Sequence, residues 1–250
     1  MGIDIPPGEF FLAMANCDVV IADTKDLREE CYRLRYQVYR VEQGHSIGAN
    51  GQESDEYDRH GKHVLLVHRM SGLAVGTVRV IPSTVANGLD SLPMSHICPP
   101  STVAKLKQRL GGRKISIGEI SRFAVSRERR LDLGASSFVR LALLQGVVRL
   151  SGELGLTDWC ALMEPVLLRL HRTTGIHFDP IDYEAPLVEC HGKRQPSHGD
   201  ISTVLTRMRD EKPKVWEYIT MHGSLWPPGR RVLPVAREDR EVRAPEAAYA

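Results

Sequence analysis

The stretch Gly118-Glu119-Ile120-Ser121-Arg122-Phe123-Ala124-Val125 constrains this chain more than any other. It reads as a β-strand, yet it carries a carboxylate and a guanidinium among apolar residues. Ionised groups inside a sheet cost several kcal/mol unless they are paired. The chain therefore has to supply partners, and a polar loop at 44–61 holds Glu53, Asp55, Glu56 and Asp58. Arg35 precedes that loop and Arg79 follows it. Side chains alternate along a strand, so Glu119, Ser121 and Phe123 should share one face and Ile120, Arg122 and Ala124 the other. Without a bulge, Glu119 then faces a pocket while Arg122 anchors the loop through Asp55 or Asp58.

The surrounding periodicities give the architecture. Cys17 to Ala22 is a β-branched strand, and Asp23-Thr24 supplies cap oxygens. Leu27, Cys31, Leu34, Val38 and Val41 form the stripe of a helix that Gly44 ends. Lys62–His68 and Leu73–Ile81, joined by Ser71-Gly72, read as a hairpin. A short helix near 101–110, the opening strand, and an apolar helix over 135–154 follow. Next come a strand over 157–163 and a helix from Glu164-Pro165 to about Thr174. Strands at 176–181 and 186–191 and helices at 200–211 and 214–221 complete the pattern. The expected fold is α+β, a mixed and mostly antiparallel sheet with helices on both faces. One domain is expected over 1–222, with extra C-terminal helices at about 199–222, before a flexible tail at 223–250.

Several function classes drop out at this stage. A net charge of +2 is too small to argue for nucleic acid. Five cysteines, odd in number and without a CxxC pair, suit free thiols in a reducing cytosol. No histidine or cysteine spacing points to a metal. No segment approaches the roughly 18 apolar residues that span a bilayer. The expected location is cytoplasmic, with transient contact at a membrane surface left open.

Three groups of residues can carry chemistry. The charged set of Arg35, Asp55, Asp58, Arg79, Glu119 and Arg122 is either an ion-pair network fixing the loop over the sheet or a polar pocket. In the pocket reading Glu119 accepts a proton and arginines orient a carboxylate. The basic turn Arg127, Arg129, Arg130 is either a solvated charge run or a docking patch for an acidic carrier protein. Beyond it Gly134, Ser136 and Ser137 open the long helix, whose amides suit a phosphate. Leu141, Leu143, Leu144, Val147, Val148, Leu162, Met163, Leu167 and Leu168 suffice for plain core or for an acyl channel. Cys160 reads as a core thiol, and His171, His177 and His191 as ordinary histidines.

The blocks Arg35-x-x-x-Tyr39, Glu53-Ser-Asp55-Glu-Tyr57-Asp58, Gly76-Thr-Val-Arg79 and Glu119-Ile-Ser121-Arg122-Phe123 resemble the acyl-homoserine-lactone synthases and the N-acyl amino acid synthases. With Asp158 to Pro165 and His191 to Pro196, the chain to about residue 222 resembles the acyltransferases associated with PEP-CTERM/exosortase systems. The resemblance implies a GNAT-like acyltransferase fold whose central strands splay to admit a pantetheine arm. It implies a long-chain acyl group carried by the phosphopantetheine of acyl-carrier protein, or by CoA, and an amine acceptor such as an amino acid. No permanently bound cofactor follows from it. Two departures stand out. His45 occupies the position where lactone synthases place a tryptophan for S-adenosylmethionine. Arg130 to Gly134 spans one residue too many for the usual GNAT phosphate loop.

From these residues the expected reaction is direct attack of the amine, with Glu119 as base. Backbone N–H groups of Phe123, Ala124 or Val125 would hold the oxyanion. Arg35, Tyr39, Asp55, Asp58, Arg79, Ser121 and Arg122 would form the acceptor site. The alternatives are a lactone-type signal synthase using S-adenosylmethionine and a non-catalytic acyl-binding module.

Overall fold

A computed structural model describes residues 16–45, 47–111, 116–129, 136–182, 188–189 and 193–220. The expected tail at 223–250 lies outside them. β1 (Cys17–Ile21) leads to α1 (Lys25–Tyr36), capped by Thr24, whose hydroxyl accepts from the Leu27 amide. The expected apolar stripe is buried at Leu27, Cys31, Leu34 and Val38, but Val41 is 55% exposed, because the helix does not run regularly to Gly44. Its backbone widens into a π-turn over Gln37–Glu42. Such turns are rare and frequently mark functional segments. The acidic loop closes with a 3-10 turn, Glu56–Arg59, held by a reciprocal cap between Asp55 and Asp58.

The hairpin of β2 (Lys62–His68) and β3 (Ala74–Pro82) forms as read. Two proline-started helices follow, α2 (Pro93–Ile97) and α3 (Pro100–Leu110), the first of them not foreseen. Then come β4 (Ile117–Val125), α4 (Ser136–Glu153), β5 (Asp158–Met163) and α5 (Pro165–Thr173). The chain closes with β6 (Asp179–Pro180), β7 (Val188–Glu189), β8 (Lys193–Asp200), α6 (Ile201–Glu211) and α7 (Pro213–Thr220).

The strand order is β1-β2-β3-β4-β5-β8-β6, with β7 paired to β8. Neighbours are antiparallel except β4 and β5, which run parallel. That parallel pairing is short. It covers Ile117↔Asp158, Gly118↔Trp159 and Glu119↔Cys160, and stops. β4 continues to Val125 and β5 to Met163 with no ladder between them, so the two central strands splay beyond Glu119.

Of the expected strand at 176–181 only Asp179–Pro180 is paired, and of the one at 186–191 the described residues, Val188–Glu189, form a strand, the rest lying outside the described residues. The full strand is β8, which was not foreseen because KRQPSHGD offers no aliphatic residue and contains a proline. Six cross-strand pairs with β5 override that poor propensity.

Helices cover both faces. On one, Val139, Leu143 and Val147 of α4 pack on Val19, Val64, Val78, Val80 and Ile120, and α6 and α7 extend the same core through Val204, Met208, Tyr218 and Ile219. On the other, α1 covers Val20, Leu65 and Ala124, while α2 and α3 cover Ile81, Ile117 and Cys160. α4 lies close on the sheet at Gly146, where an added Cβ would lie 2.3 Å from Cγ1 of Val64 and 3.0 Å from Cγ1 of Val19. Gly146→Ala gains up to about 1 kcal/mol of helix propensity. Overpacking costs about 1–3 kcal/mol. The expected result is a lower midpoint in urea, and an unchanged or higher one would mean that α4 moves outward freely.

Candidate active site

The pairing of β3 with β4 contains one extra residue on β4. Arg79 faces Ser121 and Ile81 faces Glu119, but Thr77 faces Ala124. Arg122 takes up the difference with φ +54, a left-handed conformation uncommon for a residue with a side chain. This bulge corrects the simple alternation. Glu119, Ser121 and Arg122 all lie on the side of the acidic loop, and Phe123 passes to the opposite layer, where it packs against the α4 core. The anchoring role read for Arg122 is present. Its Nε donates to Glu53 Oε1 at 3.0 Å and its Nη2 to Asp55 Oδ2 at 2.8 Å.

Arg35 and Arg79 are likewise engaged. Arg35 donates to Glu53 and, in a two-pronged pair, to both oxygens of Asp58 at 2.8 and 2.9 Å. Arg79 donates to Asp55 at 2.6 and 3.1 Å, to Asp58 at 2.8 Å and to the Ser121 hydroxyl at 3.1 Å. Three guanidiniums thus meet three carboxylates. Burial pushes the Asp58 carboxyl up, but the hydrogen bonds and charge of Arg35, with Arg79, outweigh it and hold the group well below the usual range. His63, fully buried 3.5 Å from Asp58, is pushed down to about 3, chiefly by burial, and stays neutral. Arg35, Asp58 and Arg79, expected in the acceptor site, are all three buried and engaged in the network. Arg122 and Asp55 differ, with 27% and 26% of their side-chain surface exposed.

Glu119 stands apart from this network. It is 2% exposed, and no guanidinium bonds to it among the described residues. Its Oε2 accepts the amide of Met94 at 2.8 Å, in the first turn of α2. Burial pushes its carboxyl up to about 7, against the Met94 hydrogen bond and the attraction of Arg79 and Arg122. Glu119 is also the last residue of β4 paired with β5. The site therefore offers a proton acceptor poised near neutrality at the fork, with the free edge of β4 running on through Phe123, Ala124 and Val125. Met94 escaped the sequence reading. The one signal for it was Pro93, which suits a helix start. Facing Glu119 across the fork, Cys160 has a thiol pushed well up by burial, which makes it inert.

Tyr39 lies half-buried on the π-turn and stacks on His45, with ring centroids 6.3 Å apart and planes at 11°. Glu42, from the same turn, accepts the Ser126 hydroxyl at 2.6 Å and the Arg127 amide at 2.8 Å, pinning the turn after β4. Of the expected basic patch, Arg127 is exposed. Arg129 is partly withdrawn, donating to the Ala74 carbonyl at 3.2 Å and lying 3.7 Å from Glu30. Arg130, Gly134 and the side chains of Ser136 and Ser137 lie outside the described residues. A cavity of about 790 Å³ at the edge of β1 and β2 is bordered by Arg28, Tyr32, Asp55, Asp58, Arg59 and Lys62, but not by Glu119.

Comparison with known proteins places this geometry. The acetyltransferase (GNAT) domain matches residues 34–139, the span from α1 to the start of α4. The solved structure of FeeM, an N-acyl amino acid synthase from uncultured soil microbes, superposes with a TM-score of 0.55 at 18% identity, over 76% of this chain and 94% of that one. The fold is the GNAT-like acyltransferase fold. BjaI, a CoA-dependent acyl-homoserine lactone synthase, has the same GNAT-like arrangement with a TM-score of 0.58 at 21% identity, over 86% of this chain and 94% of its own. In sequence, an acyl-homoserine-lactone synthase of Vibrio anguillarum is 27% identical over 145 residues, 58% of this chain and 70% of that protein. Within this GNAT-like fold the candidate channel residues divide. Leu141, Leu143, Leu144, Val147, Met163 and Leu168 join one continuous core, whereas Leu162 turns to the opposite layer.

Proposed function

We propose that the protein is an N-acyltransferase that moves a long-chain fatty acyl group from acyl-carrier protein to the amino group of an amino acid. The observation that carries this reading is Glu119, a buried carboxylate raised to about 7 at the fork of two splayed strands. A thioester is already activated, so the main task is to hold a neutral amine against its carbonyl. Glu119 takes the amine proton, directly or through one water. An amide of the free β4 edge, at Phe123 to Val125, holds the oxyanion. Arg122 and Tyr39 meet the acceptor, with Ser121 behind them, and Arg122 keeps exposed surface for a carboxylate. The amino acid acceptor is favoured by His45, which stacks on Tyr39 where the lactone synthases carry a tryptophan. The setting proposed with it is cytoplasmic, in a system of the PEP-CTERM/exosortase kind. Among the described residues no helix is long and apolar enough to cross a membrane.

The test is purified protein incubated with acyl-carrier-protein or CoA thioesters and a panel of amino acids, with amide products read by mass spectrometry. Amide formation is expected. Release of methylthioadenosine from S-adenosylmethionine would replace this reading with the lactone-type synthase, and no product with any amine would sink both. The donor is separated by Arg127→Glu. An exposed charge at a docking face acts mainly on association. The variant is expected to raise KM for acyl-carrier protein about tenfold at low salt, and less at high salt. KM for acyl-CoA should stay within about twofold, and equal losses on both donors would remove the docking patch.

A further inference from the structure

The block His191 to Pro196 carries an arginine that the acyl-transfer chemistry above does not use. This residue, Arg194, lies on β8, which pairs with β5 as Cys160↔His198 and Leu162↔Pro196. Cys160 and Leu162 belong to the layer of α2 and α3, which is also the layer of Glu119. Side chains alternate along a strand, so Arg194, two residues before Pro196, shares that face. Continuing the register sets it opposite Glu164, and its Nη2 lies 3.2 Å from Glu164 Oε1.

Arg194 is thus level with Glu164, four residues beyond Cys160, where β5 leaves β4. Arg122 is three residues beyond Glu119 on the other strand. At about 3.3 Å per residue, the two guanidiniums start at similar heights on opposite sides of the gap. Tyr39, on the π-turn, feels both. Burial pushes its hydroxyl up, and the charges of Arg122, Arg35 and Arg194 pull against that shift. Arg194 keeps 22% of its side-chain surface exposed, close to the 27% of Arg122, and Glu164 is 49% exposed. An ion pair this open to water contributes little, so another carboxylate can replace Glu164 at small cost.

We propose that Arg194 is a second binding residue for the acceptor carboxylate, holding it from the β8 side of the gap while Arg122 holds it from β4. This inference rests on the acyl-transfer reading, and it narrows the acceptor to amines that carry a carboxylate beside the amino group. A guanidinium presents parallel N–H donors that match a carboxylate. Two of them around one anion fix its orientation as well as its position, with the α-amine turned toward Glu119 at the fork. Arg194 touches no reacting atom. Its effect belongs in KM for the acceptor and in acceptor choice. The phosphate of the donor arm is the competing anion, and the measurement separates the two.

The experiment compares an amino acid with its amide, which keeps the amine and loses the carboxylate, on one acyl thioester. Arg194→Ala is expected to raise KM for the amino acid about 10–100-fold, with KM for the amide and for the thioester unchanged within about twofold. Arg194→Lys should recover part of the loss, because it restores the charge without the fork. Glu164→Gln removes the same ion pair but leaves the arginine, so KM for the amino acid should hold or fall. A rise in KM for the thioester alone would assign Arg194 to the donor phosphate and overturn the proposal. Equal losses on amino acid and amide, or a Glu164→Gln variant as impaired as Arg194→Ala, would make the pair a strut for β8 and overturn it too. If the alanine variant does not fold, Arg194→Gln keeps a long polar side chain without the charge, and the same ratio decides. Wild-type protein that acylates amino acid and amide equally well overturns this inference alone, whereas one that acylates no amine overturns acyl transfer with it.

Discussion

Glu119→Gln is expected to lower kcat by about 10²–10⁴-fold, the usual worth of a general base. The amide keeps the side-chain volume and can still accept the Met94 N–H, so packing at the fork is retained. The wild-type rate should rise with pH along a limb near 7, because only ionised Glu119 accepts a proton. That limb should vanish in the variant. Stability should move the other way. In the folded chain the Glu119 carboxyl stays protonated up to about 7, while the unfolded chain ionises near 4.5. The folded state therefore binds the extra proton between these values, and stability declines as pH rises through that window, then levels off. The gap corresponds to about 3 kcal/mol, as an order of magnitude. The neutral glutamine escapes that cost, so in guanidinium its midpoint at pH 8 should equal or exceed that of the wild type. A variant with wild-type kcat would remove Glu119 from the chemistry, and one that is inactive but also strongly destabilised at pH 8 would make Glu119 a structural cap of α2.

How far the sequence could be read depended on which physical term dominated each segment. α1, the β2–β3 hairpin, α4 and α5 announce themselves because local periodicity and burial agree, as they do in Leu27, Cys31 and Leu34 against the sheet. β8 does not, because its pairing with β5 comes from neighbours distant in sequence and its own residues are polar. In the site, the attraction of Arg122 for the acidic loop is legible as charge pairing. The route to it is not. The bulge at Arg122 is a single left-handed residue, and nothing in Ser-Arg-Phe marks it, so two-residue alternation puts Arg122 on the wrong face. The same one-residue slip sends Phe123 to the side of His171, whose ring stands edge-on to it. Saturation is also invisible in sequence. Three arginines near three acids fit a substrate pocket or a closed network equally well, and only the distances show Arg35 and Arg79 to be consumed.

Asp58→Ala is expected to cost about 3–5 kcal/mol, because it strips both Arg35 and Arg79 of a buried partner. Against a total stability of about 5–15 kcal/mol for a domain, this would leave the variant close to unfolding at room temperature. Replacing the charges together should be milder. Arg35→Met with Asp58→Leu is expected to recover part of the loss, since no orphan charge then remains from that pair. The wild-type acid limb gives an independent check. Asp58 and Asp55 both sit below the ordinary value of 3.8, as their arginine partners outweigh burial. Their contribution is therefore complete above about 4 and is lost as pH falls through the lower folded values. Denaturant midpoints measured downward from pH 5 should fall in the wild type, and less in the double variant. The network also reaches the chemistry, since Arg79 and Arg122 attract the charged form of Glu119. Arg122→Ala leaves Arg35, Arg79 and Asp58 paired but removes part of that attraction, so the rising limb of kcat should move to higher pH. A limb that stays at its wild-type position would mean that burial and the Met94 amide alone set the base, and the arginines serve only to hold the loop.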